Sequence, residues 1–275
     1  MTPRPGRPAL PAVRPRLVAT DLDGTLLAPD ETVTPRTRRA LDRARRSGLP
    51  VLLVTGRPPR WMAEPVAETG VPGPVICANG AIVYDPAAGA ILQHATLASA
   101  VAARLVVGLR AAAPGTTFAC EMGLAYGREP GYAPLRLPLP DRVRVGDALD
   151  LVAGPVTKLL VRHPGRAVEA LAAAAEALAG ADAEVTWSTP HLVEIHGAGV
   201  TKASALARWC AAAGIHRSEV VAFGDMPNDL AMLRWAGTGV AVANAHPDVL
   251  AAADAVTASN ADDGVAAYLE ALLSG

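Results

Sequence analysis

The chain is predicted to be an α/β protein: a parallel sheet covered by helices on both faces, interrupted by an inserted α+β domain. Three observations predict it. Short, continuously apolar runs at 16–20, 51–54, 75–78 and 220–223 each end in a turn that leads toward a helical stretch or a loop, the pattern of strands buried on both faces. That grammar changes between about Pro86 and Pro190, where longer extended pieces and Ala-rich helices take over. The 275 residues, 51% apolar and 19% charged, supply enough material for two cores. The expected division is a disordered tail over 1–15, a discontinuous core over 16–85 and 192–275, and an inserted domain over 86–191.

Taken in order, residues 16–20 (RLVAT) form the first strand and run into Asp21-Leu22-Asp23-Gly24-Thr25. Thr34-Pro35 supplies an N-cap and a first-turn proline for a helix to about Ser47, stopped by Gly48. The second strand, 51–54, ends at Thr55-Gly56-Arg57, a helical stretch reaches about Thr69, and the third strand, 75–78, ends at Asn79-Gly80. Inside the insert a helix over 97–112 precedes extended pieces at 117–120 and 156–162. An Ala-rich helix over 166–179 and extended pieces at 184–188 and 192–196 follow. The stretch 123–149, dense in Gly, Pro and Arg, shows no clear element. The core resumes with a helix opened by Thr201 and a strand at 220–223 ending at Gly224-Asp225. A helix over 229–235, a strand over 239–243, a helix from Pro247, a short strand at 255–257 and a closing helix over 262–272 complete it.

Composition excludes several classes. Lys and Arg number 25 against 26 Asp and Glu, a net charge of -1, which argues against a dedicated nucleic-acid binder. The six arginines between Arg36 and Arg46 read as a solvated helix face. No uncharged apolar run approaches the roughly 18 residues of a membrane span, and the opening segment lacks the apolar region of a secretory leader. Cys77, Cys120 and Cys210 are odd in number and far apart, as expected of reduced thiols in a cytoplasmic protein. No histidine spacing suggests a transition-metal site. Trp61, Trp209 and Trp235 are expected to pack in helices, and Trp187 is left open.

The chemistry gathers at strand ends. Asp21, Thr55, Asn79 and Asp225 each follow a predicted core strand, and ligands bind outside the carboxyl ends of parallel strands. In Asp21-Leu-Asp23-Gly24-Thr25, one carboxylate can act as nucleophile while the other carries a proton, with Gly24 allowing a tight turn whose amides face an anion. The repulsion between carboxylates calls for a cation, and oxygen ligands suit Mg²⁺. Gly224-Asp225-x-x-Asn228-Asp229 is a second acidic cluster, able to bring another carboxylate to that cation. Only Lys158 and Lys202 among the 25 basic residues are lysines. Lys202 stands at a helix start, where the dipole disfavours a cation, so a compact ammonium aimed at a phosphoryl oxygen or a carboxylate explains it.

These motifs, in this order and approximate spacing, resemble the four motifs of haloacid dehalogenase-like (HAD) phosphohydrolases, and the insert with Asn79-Gly80-Ala81 resembles the Cof-type subfamily with a type IIB cap. The resemblance covers roughly residues 16–85 and 192–272, and Ala243 departs from the usual Gly without touching the chemistry. It implies a Rossmann-like parallel-sheet HAD core with an α+β cap. It also implies a Mg²⁺-dependent phosphatase that hydrolyses a small phosphorylated metabolite, a sugar phosphate or a nucleotide-like phosphate. By that resemblance, Asp21 forms an aspartyl-phosphate and Asp23 acts as acid and base. Thr55 and Lys202 steady the phosphoryl oxygens, and the metal is held by Asp21, the Asp23 carbonyl and Asp225, supported by Asn228 and Asp229. Gly24, Gly56, Arg57, Asn79, Gly80 and Asn228 are the expected phosphate- and substrate-side residues. The competing expectations are a phosphomutase on the same scaffold and a non-catalytic phosphometabolite-binding module. Glu121, Tyr126, Arg128 and Tyr132 in the insert are the candidates for reading the leaving group.

Overall fold

The computed structural model describes residues 10–134 and 143–274. In chain order the first elements are β1 (Leu17–Thr20), α1 (Pro35–Arg46), β2 (Val51–Leu53), α2 (Ala63–Thr69), β3 (Val75–Cys77), β4 (Ile82–Asp85) and β5 (Ala90–His94). The insert continues with α3 (Ser99–Ala112), β6 (Thr117–Met122), β7 (Ala125–Arg128), β8 (Val143–Val145), α4 (Ala148–Leu151), β9 (Lys158–Arg162), α5 (Val168–Ala179), β10 (Ala183–Thr189) and β11 (Leu192–Gly197). The chain closes through α6 (Lys202–Ala212), β12 (Val220–Gly224), α7 (Leu230–Trp235), β13 (Thr238–Ala241), α8 (Pro247–Ala252), β14 (Ala255–Val256) and α9 (Gly264–Leu272).

The core sheet is parallel and ordered β14-β13-β12-β1-β2. Strand order therefore runs outward from β1 in both directions, toward β2 on one side and β12 on the other. This is the switch point at which open α/β sheets bind ligands. Beyond β2, the bridge Val54–Ile76 attaches β3, which pairs antiparallel with β4, and β4 with β5. Helix α1 forms where Thr34 accepts a hydrogen bond from the Thr37 amide at 3.1 Å and Pro35 presets the first turn. It buries Thr37, Ala40, Leu41 and Ala44 and leaves most of its arginines in solvent.

The second sheet has the order β10-β11-β9-β6-β7-β8, antiparallel apart from β7–β8, with α3 and α5 packed on one face. Helices on one face of a mostly antiparallel sheet make this unit α+β. Two expected boundaries move. Strand β5 belongs with β4, so the core side extends to His94. Strand β11 pairs with β10 and β9, so the second sheet extends to Gly197 and not to 191. The crossings lie at 95–98 and 198–201. Of the expected tail, residues 1–9 lie outside the described residues, and Leu10 packs against the core cluster instead of being free. No described helix is long and apolar enough to cross a membrane.

Candidate active site

Asp21 follows β1 directly, and its side chain is almost fully buried. The Lys202 ammonium lies 2.9 Å from Asp21 Oδ1 and 2.7 Å from Asp229 Oδ1, with no exposed surface of its own. A capping box fixes the start of α6: the Thr201 hydroxyl accepts from the Ser204 amide and the Ser204 hydroxyl accepts from the Thr201 amide, both at 3.0 Å. That box places Lys202 at the first helical position, and the two carboxylates overcome the unfavourable dipole there.

Asp229 spends both oxygens on structure, since its second oxygen accepts from the amides of Asp225 at 3.1 Å and Met226 at 3.2 Å. Asp225, at the end of β12, accepts from the Thr25 hydroxyl at 2.7 Å. Asp21, Asp225 and Asp229 present oxygens within 4.8 Å of one another. Gly24 makes that approach possible. Its φ is +74°, and a Cβ there would stand 2.3 Å from Asp225 Oδ2. Gly24→Ala is accordingly expected to displace Asp225 by about 1 Å, the scale of misplacement that disables a catalytic site, and a crystal structure of the variant checks it.

The electrostatics of this cluster are one-sided. Three buried carboxylates face one ammonium, a charge deficit when all three are ionised. Burial pushes the Asp21 carboxyl well above the usual carboxylate range; Lys202 opposes this, and Asp229 and Asp225 add to it. Burial and Asp229 push Asp225 up to about 7, against the Thr25 hydrogen bond and Lys202. Burial works against the charge of Lys202, but Asp21 and Asp229 outweigh it and hold the ammonium above its ordinary value. The donors around the deficit are all oxygens, and the buried Asn228 Oδ1 has no hydrogen-bond partner among the described residues. A hard divalent cation fits this set.

The remaining strand ends converge on the same place. Thr55 is fully buried after β2, and its hydroxyl accepts from the Arg57 amide at 3.0 Å. Arg57 holds Asp23 with two nitrogens, Nε to Oδ2 at 2.7 Å and Nη2 to Oδ1, and also approaches Glu31 at 3.4 Å. Asn79, after β3, accepts from Asn228 Nδ2 at 3.0 Å. Gly80, next to Asn79, stands against the start of α6. At φ +98° a Cβ would lie 2.2 Å from the Thr201 carbonyl oxygen, so Gly80 lets the start of α6 approach and thereby positions Lys202.

A cavity of about 430 Å³ separates the two sheets, lined on the core side by Asp21, Asp23, Gly56, Arg57 and Asn228 among others. From the cap, Glu121, Tyr126 and Tyr132 line it as expected, while Arg128 does not. Its guanidinium instead donates to the carbonyls of Glu129, Pro130 and Tyr132. Trp61 lies in a short turn at Pro59–Trp61 and lines the cavity, which corrects its assignment as a helix-packing residue. Trp187 packs against the cap core.

Sequence reasoning missed Lys158, Glu194 and His196. Lys158 donates to the Gly56 carbonyl at 2.8 Å and pairs with Glu194, whose other oxygen accepts from the Ser188 hydroxyl at 2.7 Å. His196 Nε2 lies 3.5 Å from Asn79 Nδ2, which ties a cap strand to the loop carrying Asn79. The available clues were the scarcity of lysine and the alternation Leu192-Val-Glu194-Ile-His196, which puts all three named residues on one strand face. Burial, reinforced by Lys158 and opposed by Glu194, lowers the His196 pKa from 6.5 to about 3. A depressed folded-state value means that the neutral ring's stabilisation is complete above pH 6.5 and is lost as pH falls toward 3. The expected result is a stability loss of about 1.4 kcal/mol per pH unit across that window, with His196→Gln removing that component in urea titrations at pH 7, 5 and 4.

The haloacid dehalogenase-like hydrolase family model matches residues 18–269. The chain is 30% identical over 270 residues to the 5-amino-6-(5-phospho-D-ribitylamino)uracil phosphatase YitU of Bacillus subtilis, covering 95% of this chain and 98% of that protein. It is 30% identical over 266 residues to the pyridoxal phosphate phosphatase YbhA of Escherichia coli, covering 92% and 97%. Among solved structures, a haloacid dehalogenase-like hydrolase from B. subtilis aligns with TM-score 0.79 at 25% identity, over 93% of this chain and 99% of its own. The subclass IIB sugar phosphatase BT4131 shares the fold with TM-score 0.79 at 20% identity, over 93% and 98%. The match runs through both halves of the divided core and through the cap between them, and the chain belongs to the haloacid dehalogenase-like hydrolases as a Cof-type member with a type IIB cap.

Proposed function

We propose that the protein is a Mg²⁺-dependent phosphatase that hydrolyses a small phosphorylated metabolite through an aspartyl-phosphate on Asp21. The observation that carries this reading is the buried cluster at the switch point, where Asp21, Asp225 and Asp229 present oxygens within 4.8 Å of one another beside the single ammonium of Lys202. Asp21 and Asp225 would hold the metal with the Asp23 carbonyl, and Asn228 would orient its shell. When bound, Mg²⁺ supplies the charge neutralisation that lets a carboxylate approach a phosphoryl dianion. The names of the B. subtilis and E. coli relatives support a small phosphorylated substrate.

The chain's own residues then divide the work. A carboxylate oxygen of Asp21 forms a bond to phosphorus as the bond from phosphorus to the leaving oxygen breaks, and Asp23 gives that oxygen its proton. Asp23 next takes a proton from water as the water oxygen attacks phosphorus, releasing inorganic phosphate and restoring Asp21. Arg57 holds the ionised Asp23 through both oxygens, the form that takes the proton from water. Thr55 and Lys202 would steady the transferring oxygens, Lys202 while paired with Asp21 at 2.9 Å. The three cysteines, all buried and unpaired, fit a reducing cytoplasmic setting.

The test is phosphate release from p-nitrophenyl phosphate. Release with Mg²⁺, loss with EDTA and recovery on adding Mg²⁺ are expected. No release with Mg²⁺, or undiminished release in EDTA, would overturn the reading. Conversion of glucose 1-phosphate to glucose 6-phosphate without free phosphate would favour a phosphomutase.

A further inference from the structure

Lys158 reaches out of the cap to the backbone of the core. It opens β9 and is buried with its partner Glu194 of β11. The second Glu194 oxygen accepts from the Ser188 hydroxyl at 2.7 Å, so the carboxylate that holds the ammonium is itself held. The ammonium then donates to the Gly56 carbonyl at 2.8 Å, in the loop that follows β2. Burying an ammonium is costly, and a neutral donor could make one bond to a carbonyl without that cost. The charge at this place calls for a use beyond docking.

The Gly56 carbonyl and the Arg57 amide are the two ends of one peptide unit, which is planar. At the far end the Arg57 N–H donates to the Thr55 hydroxyl oxygen at 3.0 Å. The Thr55 backbone is pinned on both sides: its N–H donates to the Ile76 carbonyl at 2.8 Å, and its carbonyl accepts from the Asn79 amide at 3.0 Å. What stays adjustable is the setting of the hydroxyl, and the Gly56–Arg57 plane governs it. Hydrogen bonds in a chain polarise one another inside a protein. A cation on the carbonyl strengthens the N–H as a donor, and a hydroxyl that accepts a stronger bond donates its own proton more strongly. The accepting bond occupies a lone pair of Thr55 Oγ1, so the proton is the part left to offer a phosphoryl oxygen.

Resting on the phosphatase reading, we infer that Lys158 is a positioning residue for phosphoryl transfer, acting through the Gly56–Arg57 peptide on the hydroxyl of Thr55. The bond crosses from cap to core, so the cap completes the phosphoryl site as well as covering it.

Lys158 also lines the cavity, so direct contact with the leaving group is the rival role, and steady-state rates with Mg²⁺ separate the two. The probes are p-nitrophenyl phosphate and acetyl phosphate, whose leaving groups differ in size and shape. Lys158→Met is expected to lower kcat by about tenfold on both, with KM within about threefold of wild type. Thr55→Val, which removes the hydroxyl, is expected to cost about 10²–10³-fold in kcat. In that background Lys158→Met should change kcat by less than about threefold, because its route is gone. Lys158→Met/Glu194→Gln removes both charges of the buried pair and covers a failure of the single variant to fold. The inference is overturned by an unchanged kcat, by a raised KM at unchanged kcat, or by a loss confined to one ester. An unimpaired Thr55→Val, or a Lys158→Met loss of the same size in the Thr55→Val background, overturns it as well. Failure of both lysine variants to fold would make Lys158 a structural residue and overturn it too. Wild-type inactivity toward both esters would instead overturn the phosphatase reading, and this one with it.

Discussion

Asp21→Asn is expected to lower kcat on p-nitrophenyl phosphate by roughly 10⁴-fold or more, the scale on which enzymes lose turnover with their nucleophile. The same substitution should leave the metal-free melting temperature unchanged or raised. Asp21 is one of three buried carboxylates around a single ammonium, and burial together with Asp229 and Asp225 disfavours its charge. Removing that charge relieves repulsion, and Lys202 keeps Asp229 as its partner at 2.7 Å. Activity and stability therefore move in opposite directions, as expected where a site is held in a strained electrostatic state for function. Steady-state rates and a thermal melt in EDTA check both halves. Activity within tenfold of wild type would remove Asp21 from the nucleophile role, and a large fall in Tm would show that the carboxylate is mainly structural.

Lys202→Met reverses the balance. Methionine approximates the length of the lysine stem, so packing around a side chain with no exposed surface is largely kept. The loss is the charge between Asp21 and Asp229. Removing one partner of a buried ionic cluster costs about 3–5 kcal/mol, which for a chain of this size corresponds to a Tm lower by roughly 6–20 °C. Turnover should fall as well, because the ammonium 2.9 Å from Asp21 Oδ1 would no longer hold that carboxylate in place. Lys202→Arg is not expected to rescue either property, since a planar guanidinium does not fit a pocket shaped for a compact ammonium. Differential scanning calorimetry with and without Mg²⁺ reads the stability effect, and a Tm within about 2 °C of wild type would contradict the assigned role.

The site's core was legible because each of its side chains sits beside a local landmark. Asp21, Thr55, Asn79 and Asp225 follow short apolar strands within two residues, and the parallel order of β12, β1 and β2, with the parallel bridge Val54–Ile76 to β3, brings their ends together. Lys202 could be singled out because this chain otherwise carries its positive charge on arginine. The cap was less legible because its chemistry lies inside strands. Lys158, Glu194 and His196 alternate with apolar residues, and that pattern shows two faces without showing which one meets the core. Thr189-Pro190 looks like a domain break, which put the expected boundary at 191 although β11 pairs with β9 and β10 as far as Gly197. The hairpin β4–β5 escaped notice because Asp85-Pro86 looks like a domain break, whereas the Asp85 side chain accepts from the amides of Ala87 and Ala88 and closes a turn within one sheet. Gly80 was read for its neighbour Asn79, and its contact with Thr201 became visible only when residues far apart in sequence were seen together.

The central claim is that Asp21, Asp225 and Lys202 serve one phosphoryl group. A crystal structure of the protein with Mg²⁺ and beryllofluoride tests it most directly. The predicted result places beryllium on a carboxylate oxygen of Asp21, with a single ion shared by Asp21 and Asp225 and the Lys202 ammonium still against Asp21. Beryllofluoride attached to another residue, or an ion bound by Asp225 away from Asp21, would contradict it.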